Sequence, residues 1–106
     1  MQYTLLTPSE LQKHMSAQPL LIDVRELEEW QTGHIKQAKL VPLATLVTKI
    51  VTLAPKLDTA IYLYCQHGRR SHNAALMLSS LGYSNIFELE GGISNWIESG
   101  MPCQTE

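Results

Sequence analysis

The longest uninterrupted apolar run in the chain is Ala60-Ile61-Tyr62-Leu63-Tyr64-Cys65, six residues. A membrane-spanning helix needs ~20. The run is rich in β-forming types, and its apolarity does not alternate, so it reads as a strand covered on both faces. A strand covered on both faces needs helices above and below it. That requirement points to a layered α/β domain.

The other segments fit. Tyr3 to Leu6 reads as a short first strand. Thr7-Pro8-Ser9-Glu10 follows, with Thr7 as helix cap, Pro8 at the first helical position and Glu10 completing a capping box. Leu11 and Met15 share one face of that helix. Leu20 to Val24 is a second buried strand. Glu26 to Trp30 reads as a short helix stopped near Gly33, and Lys39 to Val41 as a brief strand ended by Pro42. Leu43 to Leu53 has helical apolar spacing and ends at Pro55. A helix is expected from Ser71, with Ala74, Ala75, Met77, Leu78 and Leu81 inward and Gly82 at its end. Ile86 to Leu89 is a further strand, broken by Gly91-Gly92. Ile93, Trp96 and Ile97 form one face of a last helix. Strands and helices alternate throughout, which predicts a parallel sheet of about five strands with helices on both faces.

The chain has 106 residues, room for one domain, and the expectation is a single domain over 1–106. Eight basic and ten acidic side chains leave a net charge of −2. Nucleic-acid binding rests on phosphate neutralisation and a basic excess, so nucleic acid is not expected as a partner. No basic-then-apolar leader and no membrane segment is visible. Two cysteines, Cys65 and Cys103, make no disulfide framework, and a reducing, cytoplasmic location is expected.

In parallel sheets ligands sit at the carboxyl ends of the strands. After Tyr64 the chain reads Cys65-Gln66-His67-Gly68-Arg69-Arg70-Ser71. Here a cysteine ends a buried strand, a short glycine-bearing loop follows, and a helix begins. Unpaired N–H groups at a helix start favour an anion, and a glycine lets the loop curl so that several converge. Free cysteine has a pKa near ~8.5, which helix N-termini and nearby cations lower to ~3.5–7.5. The residue types therefore describe an anion-binding cysteine nucleophile, with Arg69, Arg70 and His67 adding positive potential. A buried structural cysteine leaves the two arginines and the strand–loop–helix placement unexplained.

Two kinds of loop share this design. The tyrosine phosphatase signature carries an arginine six residues after its cysteine, a position that is Ser71 here. The shorter spacing resembles the rhodanese family of sulfurtransferases. The resemblance covers nearly the whole chain. It runs through Leu21-Ile22-Asp23-Val24-Arg25-Glu26 with Glu29, then Gly33-His34-Ile35 with Ala38 and Pro42. The Cys65 loop with Gly68, Arg70 and Ser71 follows, and then Gly82, Leu89-Glu90-Gly91-Gly92 and Trp96. Gln37 stands where the family usually has glycine, and Leu40 where asparagine is common.

The resemblance implies a sulfurtransferase. Cys65 takes the outer sulfur of thiosulfate or a related small anion as a persulfide, and a thiol or cyanide acceptor removes it. Gln66, His67, Gly68, Arg69 and Arg70 form the substrate-binding loop, with the amides of 66–70 as the cradle. Asp23, Arg25 and Ser71 support it, Asp23 by pairing with Arg70. No metal and no organic cofactor is implied. A protein donor or acceptor is an alternative use of the same persulfide, which makes the domain a relay module. A phosphatase or arsenate-reductase-like enzyme is a further alternative that the loop length disfavours.

Other residues carry less. Cys65, His67 and His72 match no zinc spacing and lack a fourth ligand. A cysteine-protease pair needs a base touching sulfur, and a curled loop turns His67 outward. His14 and His34 read as surface or loop residues, Trp30 and Trp96 as packing. Glu26, Glu28 and Glu29 suit a helix N-terminus. Cys103 falls in a tail expected to be flexible.

Overall fold

A computed structural model describes residues 3–105. Five strands and five α-helices alternate: β1 (Thr4–Leu6), α1 (Pro8–His14), β2 (Leu20–Asp23), α2 (Leu27–Thr32), β3 (Lys39–Leu40), α3 (Leu46–Leu53), β4 (Ile61–Tyr64), α4 (Arg69–Ser80), β5 (Ile86–Leu89) and α5 (Gly92–Glu98). The sheet order is β1-β5-β4-β2-β3 and every pairing is parallel. The apolar run over residues 60–65 contains the central strand, β4. The α/β architecture with a five-stranded parallel sheet is as the sequence predicts.

Side chains alternate across the pleat, so the inner strands β2, β4 and β5 each feed two cores. Ile22, Leu63 and Ile86 pack against Leu46 and Ile50 of α3 and Ala74, Ala75 and Leu78 of α4. Leu21, Tyr62, Tyr64 and Leu89 pack against Leu11 of α1 and Ile93 and Trp96 of α5. Asp23 of β2 lies in register with Tyr64 of β4, so the carboxyl ends of both strands open at one edge.

Local chemistry sets the element ends. Thr7 caps α1 with the full capping box to Glu10. The predicted helix over 43–53 begins as a single 3-10 turn, Leu43–Thr45, because the Thr45 N–H and hydroxyl both bond the Pro42 carbonyl. The helix expected from Ser71 starts two residues earlier, at Arg69, behind Gly68 at φ +107°. Leu81 and Ile97, expected inward, are exposed, since each lies at the last turn of its helix beyond the edge of the core.

Two further expectations are corrected. His34 is not a surface residue. It is buried, its ring stacked on Trp30 with centroids 3.5 Å apart. The segment after α5 is pinned: Gln104 exchanges both backbone hydrogen bonds with His34, and Trp96 Nε1–H donates to the Pro102 carbonyl. Gln37, the departure from glycine, has φ +77°, a left-handed conformation that glycine favours.

Candidate active site

Cys65 follows β4 directly and is 1 % exposed. Its Sγ accepts the Gly68 N–H at 3.1 Å and the Ser71 N–H at 3.3 Å. Gly68 takes the left-handed turn that α4 needs at its start, and so folds the loop back over the sulfur. Of the amides at 66–70, Gly68 is the one that reaches Sγ. Ser71, one residue beyond that range, supplies the second. The Ser71 hydroxyl lies 3.5 Å from Sγ.

The loop rests on α5. Ile93 N–H donates to the Cys65 carbonyl and Ser94 N–H to the Gln66 carbonyl. Gly92 permits that approach: it has φ +67°, and a Cβ there would lie 2.6 Å from the Cys65 carbonyl oxygen. The Gly91-Gly92 pair, read from sequence as a strand breaker, is therefore also the seat of the loop.

Asp23 and Arg25 support the loop by a different route from the one expected. Asp23 pairs with Arg25 and not with Arg70. Arg25 Nε and Nη2 donate to the Asp23 carboxylate, with the Arg25 backbone N–H on the same group at 2.9 Å. The partners are two residues apart at a strand end, so the pair closes within one short segment. Arg25 Nη2 also reaches the Gly33 carbonyl, and Nη1 donates to Gln66 Oε1 at 2.9 Å. Gln66 Nε2 in turn donates to Ser94 Oγ. Arg25 is buried beneath this network, over the Tyr64 ring at 5.7 Å. Burial works against its charge, but the Asp23 hydrogen bonds and charge outweigh that and push its pKa up.

Arg70 donates instead to both Glu29 oxygens, each at 2.8 Å. Glu29 sits in the first turn of α2, where its side chain also takes the Glu26 N–H. The Arg70 hydrogen bonds hold the Glu29 carboxyl down at about 2, against an upward push from burial. The Arg70 charge also faces Cys65. His67 and Arg69 are exposed and meet no hydrogen-bond or ion-pair partner among the described residues. Cys103 lies beside Gly33, near Arg25, and burial pushes its thiol up. Both cysteines are free.

Behind the loop stands a group the sequence argument did not single out. Glu88 of β5 is 3 % exposed and accepts a short hydrogen bond from the Ser71 hydroxyl. The available signal is a lone carboxylate inside the apolar strand Ile86-Phe87-Glu88-Leu89. Among the described residues no group of three or more His, Cys, Asp or Glu side chains is placed to hold a metal ion.

The parallel α/β sheet, with a cysteine at the end of its central strand under a loop of amides at a helix start, agrees with the rhodanese family that the sequence resembles. The comparison with protein families agrees: residues 7–99 match the rhodanese-like domain. The chain belongs to that family.

Its relatives include the uncharacterized protein YqhL of Bacillus subtilis, 41 % identical over 76 residues, which cover 72 % of this chain and 59 % of YqhL. Thiosulfate sulfurtransferase PspE of Escherichia coli is 35 % identical over 74 residues, 70 % of each chain. The crystal structure of a rhodanese-related protein from Thermoplasma volcanium superposes with a TM-score of 0.86 at 35 % identity. It covers 98 % of this chain and 100 % of that one. The chain spans 59 % of YqhL and 25 % of the adenylyltransferase/sulfurtransferase MoeZ of Mycobacterium tuberculosis, less than two thirds of either, and all of the Thermoplasma chain. No helix among the described residues is long and apolar enough to cross a membrane.

Proposed function

We propose that the chain acts as one rhodanese-like domain that moves a sulfane sulfur through a persulfide on Cys65. The observation that carries this reading is the Sγ held by the Gly68 and Ser71 amides at the start of α4. Those donors stabilise negative sulfur before and after loading, with no reorganisation at the moment of reaction.

The Cys65 thiolate attacks the outer sulfur of thiosulfate or a related anion. A new S–S bond forms on Cys65. The bond from that sulfur to the sulfonate breaks, and its electron pair leaves with sulfite. An acceptor thiolate or cyanide then attacks the outer sulfur, and the pair of the breaking S–S bond returns to Cys65. Both half-reactions balance without metal or organic cofactor, and ping-pong kinetics follow.

The exposed Arg69, unpaired among the described residues, gives the loop mouth a positive potential for the donor. Arg70 is committed to Glu29, outside the ring of amides, which disfavours the phosphatase alternative. Gln66, locked between Arg25 and Ser94, fixes the loop wall, and exposed His67 and Arg69 are free to meet the acceptor.

The test is intact mass after incubation with thiosulfate, on the Cys103→Ser chain and on Cys65→Ser. The expected result is a gain of one sulfur atom on the chain that keeps Cys65, reversed by cyanide, and none on Cys65→Ser. Equal gain on both variants overturns the assignment to Cys65. No gain from thiosulfate or from a protein persulfide overturns sulfur transfer itself.

A further inference from the structure

The sulfur of Cys65 is the first atom of a buried hydrogen-bonded line. The line runs from Sγ to Ser71 Oγ at 3.5 Å, and from Ser71 Oγ to the Glu88 carboxylate. A hydroxyl that donates to a carboxylate keeps its lone pairs free, so Ser71 can accept a hydrogen from sulfur while it donates to Glu88. Glu88 faces no cation: among the described residues neither ion pair involves it. Its neighbours are Ser71 and the Gly68 turn at the start of α4, where an added Cβ would stand 3.7 Å from Glu88 Oε2. From the other side comes the Tyr3 hydroxyl, raised to about 12 by burial first and Glu88 second, and hydrogen-bonded in turn to His72 Nδ1. Leu63 and Leu5 flank Glu88 in the sheet register and bring no charge. The Arg70 charge acts on Cys65 and is tied to Glu29.

We propose that Glu88 is a positioning residue that takes the thiol proton of Cys65 through the Ser71 hydroxyl. The S–H bond of Cys65 breaks and its electron pair stays on sulfur. Its proton passes to Ser71 Oγ, and the Ser71 proton passes to Glu88. Ser71 ends unchanged, now donating to the thiolate, with the carboxylic acid donating to Ser71. No water or outside base is needed in a site where Cys65 is 1 % exposed. The inference rests on the reading of Cys65 as nucleophile and adds the group that prepares it.

Two groups that share one proton titrate in two macroscopic steps. The experiment follows thiolate absorbance and the rate of iodoacetamide alkylation against pH, on the full Cys103→Ser chain with and without Glu88→Gln. Infrared spectra of the same samples follow the protonated-carboxyl band. With Glu88 present, thiolate is expected to rise in two steps while the carboxyl band falls in the same two. With Glu88→Gln, the lower step is lost and one remains. A single, superimposable step in both proteins overturns the proposal. So does a carboxyl band that has vanished before thiolate first appears. The infrared and absorbance readings on the chain with Glu88 decide the matter even if Glu88→Gln does not fold. No sulfur donor is used, so a failed relay and a failed persulfide assignment give different results.

Discussion

Arg70 and Glu29 meet head to head, each terminal guanidinium nitrogen on its own carboxylate oxygen at 2.8 Å. The pair ties the first turn of α4 to the first turn of α2, across the mouth of the Cys65 loop. It is partly open to solvent, so its share of stability is modest, about 1 kcal/mol or less. Its pH dependence has a definite sign. The Glu29 carboxyl is held at about 2, below its ordinary 4.5. The contribution is complete above pH 4.5 and is lost as pH falls through 2. Urea unfolding at a series of acid pH values should show this loss in the native chain and a flatter profile in Glu29→Gln. Identical profiles would mean that the pair does not form in solution.

Arg25 carries the heavier electrostatic role. It and Asp23 are both buried, and their separation is 2.8 Å. Arg25→Met leaves the Asp23 carboxylate inside the protein with no counter-charge and cuts the contact to Gln66. The expected cost is about 3–5 kcal/mol. The loop should also loosen, so alkylation of Cys65 should speed up in the variant under conditions where it stays folded. A loss below about 1 kcal/mol in denaturant unfolding would contradict this account.

Gly92→Ala tests the seat of the loop. The new methyl group would meet the Cys65 and Gln66 backbone, and a left-handed backbone alone costs a non-glycine residue about 1–3 kcal/mol. The melting temperature should fall, and sulfur loading should fall further than global stability explains. Unchanged loading in a folded Gly92→Ala chain would separate α5 from the site.

Gln37→Gly should do the opposite. Gln37 sits at φ +77°, and glycine enters that region without the Cβ penalty of about 1–2 kcal/mol. Part of the gain is offset by the greater freedom of glycine in the unfolded chain. A net gain of about 0.5 kcal/mol, read from the thermal midpoint, is expected. A fall in the midpoint would show that the Gln37 side chain contributes more than its backbone strain costs.

The architecture was legible because the inner strands β2, β4 and β5 announce themselves by apolar runs and the helices by period, α1 also by its cap. The Thr7–Glu10 capping box and the strand Ile86–Leu89 need no tertiary information. The Cys65 loop was legible for the same reason, since strand, glycine and helix start are neighbours in sequence. Pairings across the fold were not. Asp23 and Glu29 are both acids near the loop, and only the placement of α2 against α4 gives Arg70 to Glu29. Glu88 lies inside a strand that is legible in sequence, Ile86–Leu89, but nothing in that stretch shows which way its side chain faces. Its burial depends on α4 beginning directly over β5. The burial of His34 was not legible because the segment that pairs it, Gln104, comes from the far end of the described residues, although the ring stacked on it, Trp30, is only four residues away.

The hydrogen bonds from Ile93 and Ser94 to the carbonyls of Cys65 and Gln66 also set an order in time. A chain made from its amino end has released Cys65 well before Gly92 and its helix emerge. Until that helix docks, the loop has no floor and the sulfur lacks its shelter. A nascent or truncated chain therefore presents an ordinary oxidisable thiol. Helix α5, made after the loop it supports, is the one that turns that thiol into a guarded one.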